Sequence, residues 1–441
     1  MRSPGVGALL ALVSVPFCMV LSNSLLIPVL PSIQRGAHLT AFQAGLLITA
    51  FSVTAGLVIP LGGYFSDRIG RKAVIVPALG LFGLGGLLAG LAPLAFPRPF
   101  PWLVAGRVIQ GVGGGGTYQV AMALAGDLYR GGRRVQVLGT LEASNGVGKV
   151  AAPVIGSALG MLAWMAPFFF YPAAAWSAAA AVFWLIPTSR PAAADRRRPP
   201  AGYLEDLRAV LASKGGPLAV LFAVGFVALL VLFGFLSYYS DVLEASWRIR
   251  GLVKGLIMAV PVGTMALLSF LTGTWLRERI RRWSLPLLLG GLAAAAAGLA
   301  LSYWLRGLWT LTAAVTLVGA GDGLLLSPVN TLVTESVDAA KRGVITALYG
   351  TARFFGAALG PPLFTWAAGA GRAAVAGGGA ALMALTALLV AAVLRPAALA
   401  GAAATAVGRE GAEAAPAADE AIRAGRPGSL RRAPRRPRPV P

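Results

Sequence analysis

Apolar stretches of about twenty residues return again and again along this chain of 441 residues, and they limit what it can fold into more than any other feature. A helix needs about 20 such residues to cross a hydrocarbon layer about 30 Å thick. Roughly twelve stretches qualify, near 6–30, 41–63, 73–95, 101–127, 135–163, 165–187, 217–240, 252–275, 284–305, 308–334, 343–368 and 373–395. Hydrophobic residues make up 57% of the chain, charged ones 12%, and the mean hydropathy is +0.75. A water-soluble protein has no interior large enough to hide that share. The expectation is an all-α membrane protein, because a helix satisfies its own backbone groups in lipid. The first stretch follows Met1-Arg2 but is too long for a signal peptide. It runs into "LLIPVLPSI" without a small-residue cleavage site, so it is kept as the first span.

The net charge of +22 does not indicate a nucleic-acid reader, which gathers Lys and Arg on one folded face. Here they lie between spans and set the topology, since cytoplasmic loops retain basic residues. Arg68, Arg71 and Lys72 follow the second span, Arg130, Arg133 and Arg134 the fourth, and Arg277, Arg279, Arg281 and Arg282 the eighth. The alternate loops are poor in charge, for example Arg98, Arg306 and Arg372 singly. The exception joins spans seven and eight, where Arg248, Arg250 and Lys254 accompany Asp241 and Glu244. Both termini are therefore expected in the cytoplasm. Cys18 is the single cysteine and His38 the single histidine, so neither an intrachain disulfide nor a metal cluster is expected. No nucleophile–base pair stands out, and an enzyme is not expected.

The polar stretch 188–216 divides six spans from six. It is read as a cytoplasmic linker with a short amphipathic helix near Tyr203–Ser213, between bundles at 1–187 and 217–397. Residues 398–441, rich in Ala, Pro and Arg, read as a disordered basic tail, either solvated or touching anionic lipid. An offset of about 208 residues aligns Gly111, Gly113 and Gly115 with Gly319, Gly321 and Gly323, Arg134 with Arg342, Asp127 with Glu335, Gly148 with Gly356 and Pro153 with Pro361. Two repeated halves around a midplane site are the architecture of a secondary transporter.

Three motifs resemble those of the major facilitator superfamily, and the resemblance covers roughly residues 5–397. "GGYFSDRIGRK" is similar to its loop signature between helices two and three, through Gly63, Asp67, Arg68, Gly70, Arg71 and Lys72. "RVIQGVGGGG" resembles the fourth-helix motif of proton-coupled members through Arg107, Gln110, Gly111 and Gly113. "GKVAAPVIGS" resembles the fifth-helix antiporter motif through Gly148, Pro153 and Gly156, with Ala152 and Ser157 as small departures. "EASNGVGK" further resembles a bacterial multidrug-efflux branch of the twelve-helix drug:proton antiporters. The resemblance implies twelve transmembrane helices in two pseudo-symmetric six-helix bundles in a bacterial inner (plasma) membrane. It implies a monomeric efflux antiporter conferring drug resistance, with the proton gradient in place of any cofactor. A small lipophilic or cationic substrate, protons and the bilayer would be its partners. It also implies that Asp67 docks on a helix N-terminus of the other half in one conformation, with Arg71 and Asp127 completing a charge relay. Arg68 and Lys72 serve equally well as positive-inside residues.

Few ionisable residues fall within the spans: Arg107 in the fourth, Glu142 and Lys149 in the fifth, Asp322 in the tenth and Arg353 in the eleventh. Each costs about 2.5–3.5 kcal/mol to insert and so faces water or a partner. Spans three, six, nine and twelve hold none, and the family implies that these face lipid. Glu142, Asn145 and Lys149 share one stripe, its ends roughly 10 Å apart along the axis. Glu142 is the expected proton carrier, tuned by Arg107 and Lys149; a permanent structural ion network is the alternative. Asp322 is either a rival proton site or the neutralising partner of Arg353. Asn23 stands where some drug exporters of the superfamily hold an acidic residue. Asn23, Gln110, Tyr118, Tyr349 and Arg353 are candidate cavity residues, and Phe17, Phe51, Phe233 and Phe354 could stack on a lipophilic compound. A sugar or metabolite transporter on the same scaffold, and a non-transporting receptor or scaffold, remain alternatives.

Overall fold

A computed structural model describes residues 5–187, 200–276, 280–337 and 342–394. The tail 398–441, the linker up to residue 199, and Arg277 and Arg279 lie outside the described residues. The elements are α1 (Val6–Ser24), a 3₁₀ turn (Ile27–Val29), α2 (Leu30–Gly36), α3 (Ala41–Ile69), α4 (Arg71–Ala95), α5 (Phe100–Gly114), α6 (Thr117–Leu128), α7 (Gly131–Leu162) and α8 (Ala166–Leu185). They continue as α9 (Pro200–Trp247), α10 (Gly251–Leu276), α11 (Ile280–Trp304), α12 (Leu308–Glu335), α13 (Arg342–Gly369) and α14 (Arg372–Val393). Among the described residues there is no strand.

Among the described residues, nine helical stretches are long and apolar enough to cross a membrane. Three further segments fill the remaining expected positions: the broken pair α5–α6, and α7 and α13. These three carry Arg107, Glu142, Lys149 and Arg353. The exceptions to apolarity are thus the segments where sequence reasoning placed most of the intramembrane charge.

Two expected spans are interrupted. The first breaks into α1, the 3₁₀ turn and α2 because Pro28 and Pro31 have no N–H to continue the helical ladder. The fourth breaks at Gly115–Gly116, where Gly116 adopts φ +77°, a left-handed conformation that suits glycine. The short helix expected at Tyr203–Ser213 is continuous with the seventh span inside α9. Thr40 and Gln43 form a reciprocal capping box that starts α3, and Gly70, at φ +106°, makes the tight turn into α4.

The repeat shows in packing. A Cβ on Gly111, Gly113 or Gly115 would collide with carbonyls of Phe51 on α3, Ala78 on α4 and Ala55 on α3 in turn. On Gly319, Gly321 or Gly323 it would meet carbonyls of Pro261 on α10, Gly291 on α11 and Met265 on α10. Without a Cβ the backbones approach closely, which is how helices associate in lipid. The halves meet chiefly through α3 against α13 and α7 against α10. Thr49 donates to the Ala358 carbonyl at 2.5 Å and Thr351 to the Gly56 carbonyl at 2.8 Å, both across that first interface. Helices α8, α11 and α14 are the least buried of the candidate spans, three of the four expected to face lipid; the fourth, α4, is buried to the same extent as α10.

Candidate transport site

A cavity of about 200 Å³ lies between the halves. From the first half it is lined by Asn23 on α1, Phe51 on α3, Tyr118 on α6, and Asn145, Lys149 and Pro153 on α7. The second half contributes Phe233 on α9 and Arg353 and Phe354 on α13. Phe51 and Phe354 approach each other across the halves, with ring centroids 6.4 Å apart. Two of the expected aromatic candidates stand elsewhere: Phe17 packs over Gly148, and the Tyr349 ring is buried against Gly225.

Glu142 is exposed and accepts a short hydrogen bond from the Tyr118 hydroxyl. Asn145 and Lys149 lie farther along the same stripe in the cavity wall, and Asn145 Oδ1 has no donor. Arg107 occupies a separate environment. Fully buried, it donates to the Leu47 carbonyl at 3.0 Å, Gln110 Oε1 at 2.8 Å and Asn23 Oδ1 at 2.5 Å, and its guanidinium lies 4.6 Å from the centre of the Phe51 ring. Asn23 in turn donates to Ser52 Oγ at 2.6 Å. The residue at the first-span position is therefore an amide that ties Arg107 to the cavity wall. Asp322 is fully buried on α12, and neither carboxylate oxygen has a hydrogen-bond partner. Arg353 stacks over Tyr349 at 5.6 Å, and it and Asp322 make no direct contact. Among the described residues none of these five intramembrane charges forms an ion pair.

The two ends of the molecule are built differently. At the end with the basic loops, Arg71 pairs with Asp67 and with Asp127 Oδ2 at 3.3 Å, and donates to Ser66 Oγ at 2.6 Å. Lys72 donates to the Ile186 carbonyl at 2.7 Å, and the Arg68 guanidinium lies over the Tyr64 ring. Gly63 has open space where a Cβ would stand. The relay expected of Asp67, Arg71 and Asp127 is assembled within one half.

At the opposite end the halves are locked together. Glu244 on α9, with a side chain only 6% exposed, takes Arg35 of the first half at 2.6 Å and Lys254 at 2.8 Å, with Arg250 at 3.7 Å. Ser240 donates to the Ile27 carbonyl at 3.1 Å, and Gly255 lies against the Pro153 carbonyl and Ser157. Sequence reasoning missed this cluster as a site, although its signal was present: the loop between spans seven and eight was the exception to the charge pattern. In the fifth-span motif, Gly148 abuts Val20, Gly156 abuts the Leu25 carbonyl, and Pro153 faces α10 of the other half.

The sequence model of the Major Facilitator Superfamily matches residues 12–361. The chain belongs to the major facilitator superfamily. It is a multi-pass membrane transporter of that superfamily, similar to several curated members. The bacillibactin exporter of Bacillus subtilis is 34% identical over 358 residues, covering 81% of this chain and 88% of the relative. The multidrug efflux protein YfmO of Bacillus subtilis is 29% identical over 360 residues, covering 78% and 80%. Among solved structures, the nucleoside transporter NupG superposes with a TM-score of 0.71 at 14% identity, covering 87% of this chain and 99% of that one, a likeness of fold.

Proposed function

We propose that this superfamily member is a proton-coupled exporter that moves small lipophilic compounds out of a bacterial cell by alternating access. The observation that carries the reading is on α7: Glu142 is exposed and held by the cavity-lining Tyr118, on the helix whose Asn145, Lys149 and Pro153 line the cavity and whose Pro153 region packs against the other half. A carboxylate that water can reach, on an element that takes part in the contact between halves, is placed to gain or lose a proton as the halves rock. The exporter and efflux names of two relatives matched over most of their length support the outward direction. Arg68, Arg71, Lys72, Arg130, Arg133 and Arg134 mark the cytoplasmic end, with both termini on that side. The Glu244 lock then closes the outer end. Asp322, buried without a donor, is the second carboxylate available to a proton. Arg107 holds Asn23 in the cavity wall, and Lys149 shares the stripe of Glu142.

One proton moving inward through 100 mV supplies about 2.3 kcal/mol, enough for a gradient of about fortyfold. The test is efflux of fluorescent dyes of both charge signs from energised cells, wild type beside Glu142→Gln, with and without a protonophore. Protonophore-sensitive uphill efflux is expected from the wild type, and Glu142→Gln should lose it while still exchanging dye down its gradient. Undiminished uphill efflux in Glu142→Gln would remove the assignment and direct the same experiment to Asp322→Asn.

A further inference from the structure

The cavity has a charge imbalance that a neutral or cationic cargo would leave uncorrected. Lys149, on the first half, lines it and, among the described residues, has no carboxylate within ion-pair distance. Arg353, on the second half, lines it too, and its buried Nε has no acceptor. Behind the wall, Arg107 has only neutral acceptors. Glu142, bonded to Tyr118, attracts Lys149 from outside the lining, and Asp322 is buried outside it in the second half. Two cations in the lining of one cavity whose lining holds no carboxylate are costly, and a bound anion offsets that cost. Most of the remaining lining is apolar or aromatic, with Asn23, Gln119 and Asn145 among its neutral polar members and the Phe51–Phe354 pair spanning both halves.

We propose that the cavity takes an aromatic organic anion, with its acidic group between Lys149 and Arg353 and its ring system against Phe51 and Phe354. The cations belong to opposite halves, so their repulsion opposes the approach of those halves. An anion between them replaces repulsion with two attractions, and the loaded cavity closes more readily than the empty one. The inference deepens the exporter reading and rests on it only for the direction of movement; the binding preference stands on the cavity itself.

The test uses two probes that share a ring system and carry permanent opposite charges, 1-naphthalenesulfonate and (1-naphthylmethyl)trimethylammonium. Equilibrium binding to the purified full chain is measured first, then counterflow in proteoliposomes. The sulfonate is expected to bind at least about tenfold more tightly, a difference of about 1.4 kcal/mol. Lys149→Gln and Arg353→Gln should each remove most of that preference, and Lys149→Arg should keep it. Lys149→Glu should reverse it and gain affinity for the ammonium probe, a gain that misfolding cannot produce. Equal or better binding of the ammonium probe by the wild type, binding of neither probe, or a preference unchanged in both Gln variants would overturn the proposal. Charge-selective binding without counterflow of either probe would count against the exporter reading and leave the anion site standing. Counterflow of the ammonium probe alone would do the reverse.

Discussion

Three neutral acceptors on α1, α3 and α5 surround Arg107 in directions that a guanidinium fork reaches together and an ammonium does not. Arg107→Lys keeps the charge but cannot satisfy Leu47, Gln110 and Asn23 at once. It is expected to lower stability by about 1–3 kcal/mol, read from thermal unfolding in detergent. Unfolding like that of the wild type would mean that charge alone, not the fork, matters here. Glu244 makes the opposite case, a single carboxylate shared by several cations. Lys254 beside it is 1% exposed, and removing one member of a buried pair costs about 3–5 kcal/mol. The cost falls only on the conformation in which this end is closed, so Glu244→Gln should shift the population toward opening there. A cysteine at Ser240, in a Cys18→Ala background, should then react with an impermeant thiol reagent at least about tenfold faster. Unchanged labelling would show that the cluster does not hold the lock.

At the scale of elements, the two halves use the same small-residue contacts at positions about 208 residues apart. Gly113 and Gly321 each leave no room for a methyl group, against α4 and α11 respectively. Alanine at either position should cost about 1–3 kcal/mol by overpacking, and the two costs should agree within about 1 kcal/mol if the interfaces are true repeats. Gly63→Ala is the control: with open space at its Cβ, it should change stability by no more than about 0.5 kcal/mol. Denaturation in mixed micelles measures all three. The α3–α13 interface is held by hydroxyl–carbonyl bonds from Thr49 and Thr351. Such bonds average about 0.6 kcal/mol in membranes, weak enough to break and reform when halves move.

At the scale of the whole molecule, the cavity, the relay at one end and the lock at the other form one device. The lock closes the end that carries Arg35 and Glu244, and the exposed Glu142 stands toward the other. The basic segment 398–441 lies outside the described residues; a transporter built from the two bundles alone should keep dye efflux within about twofold of the full chain when that segment is deleted. Loss of efflux on deletion would favour a tail-driven receptor or scaffold over a self-contained transporter. Measuring expression and membrane insertion of the shortened chain beside the full one keeps loss of function separate from loss of protein.

Much of this was legible in the residues alone. Span positions follow from apolar runs, because crossing lipid is a local demand that each segment meets by itself. The repeat follows from spaced glycines, and the loop motif by its resemblance to the superfamily pattern. The stripe of Glu142, Asn145 and Lys149 follows from helical periodicity, which relates neighbours along the chain. What the stripe faces does not follow from it. That Tyr118 holds Glu142, that Arg107 turns to Asn23, that Lys149 and Arg353 line one cavity from opposite halves, and that Arg35 closes on Glu244 are facts about which helices meet. Their registers and rotations are set jointly by packing against all their neighbours. Periodicity determined which residues share a face, and only the tertiary structure decided which faces meet, because a contact between distant segments has no local signature.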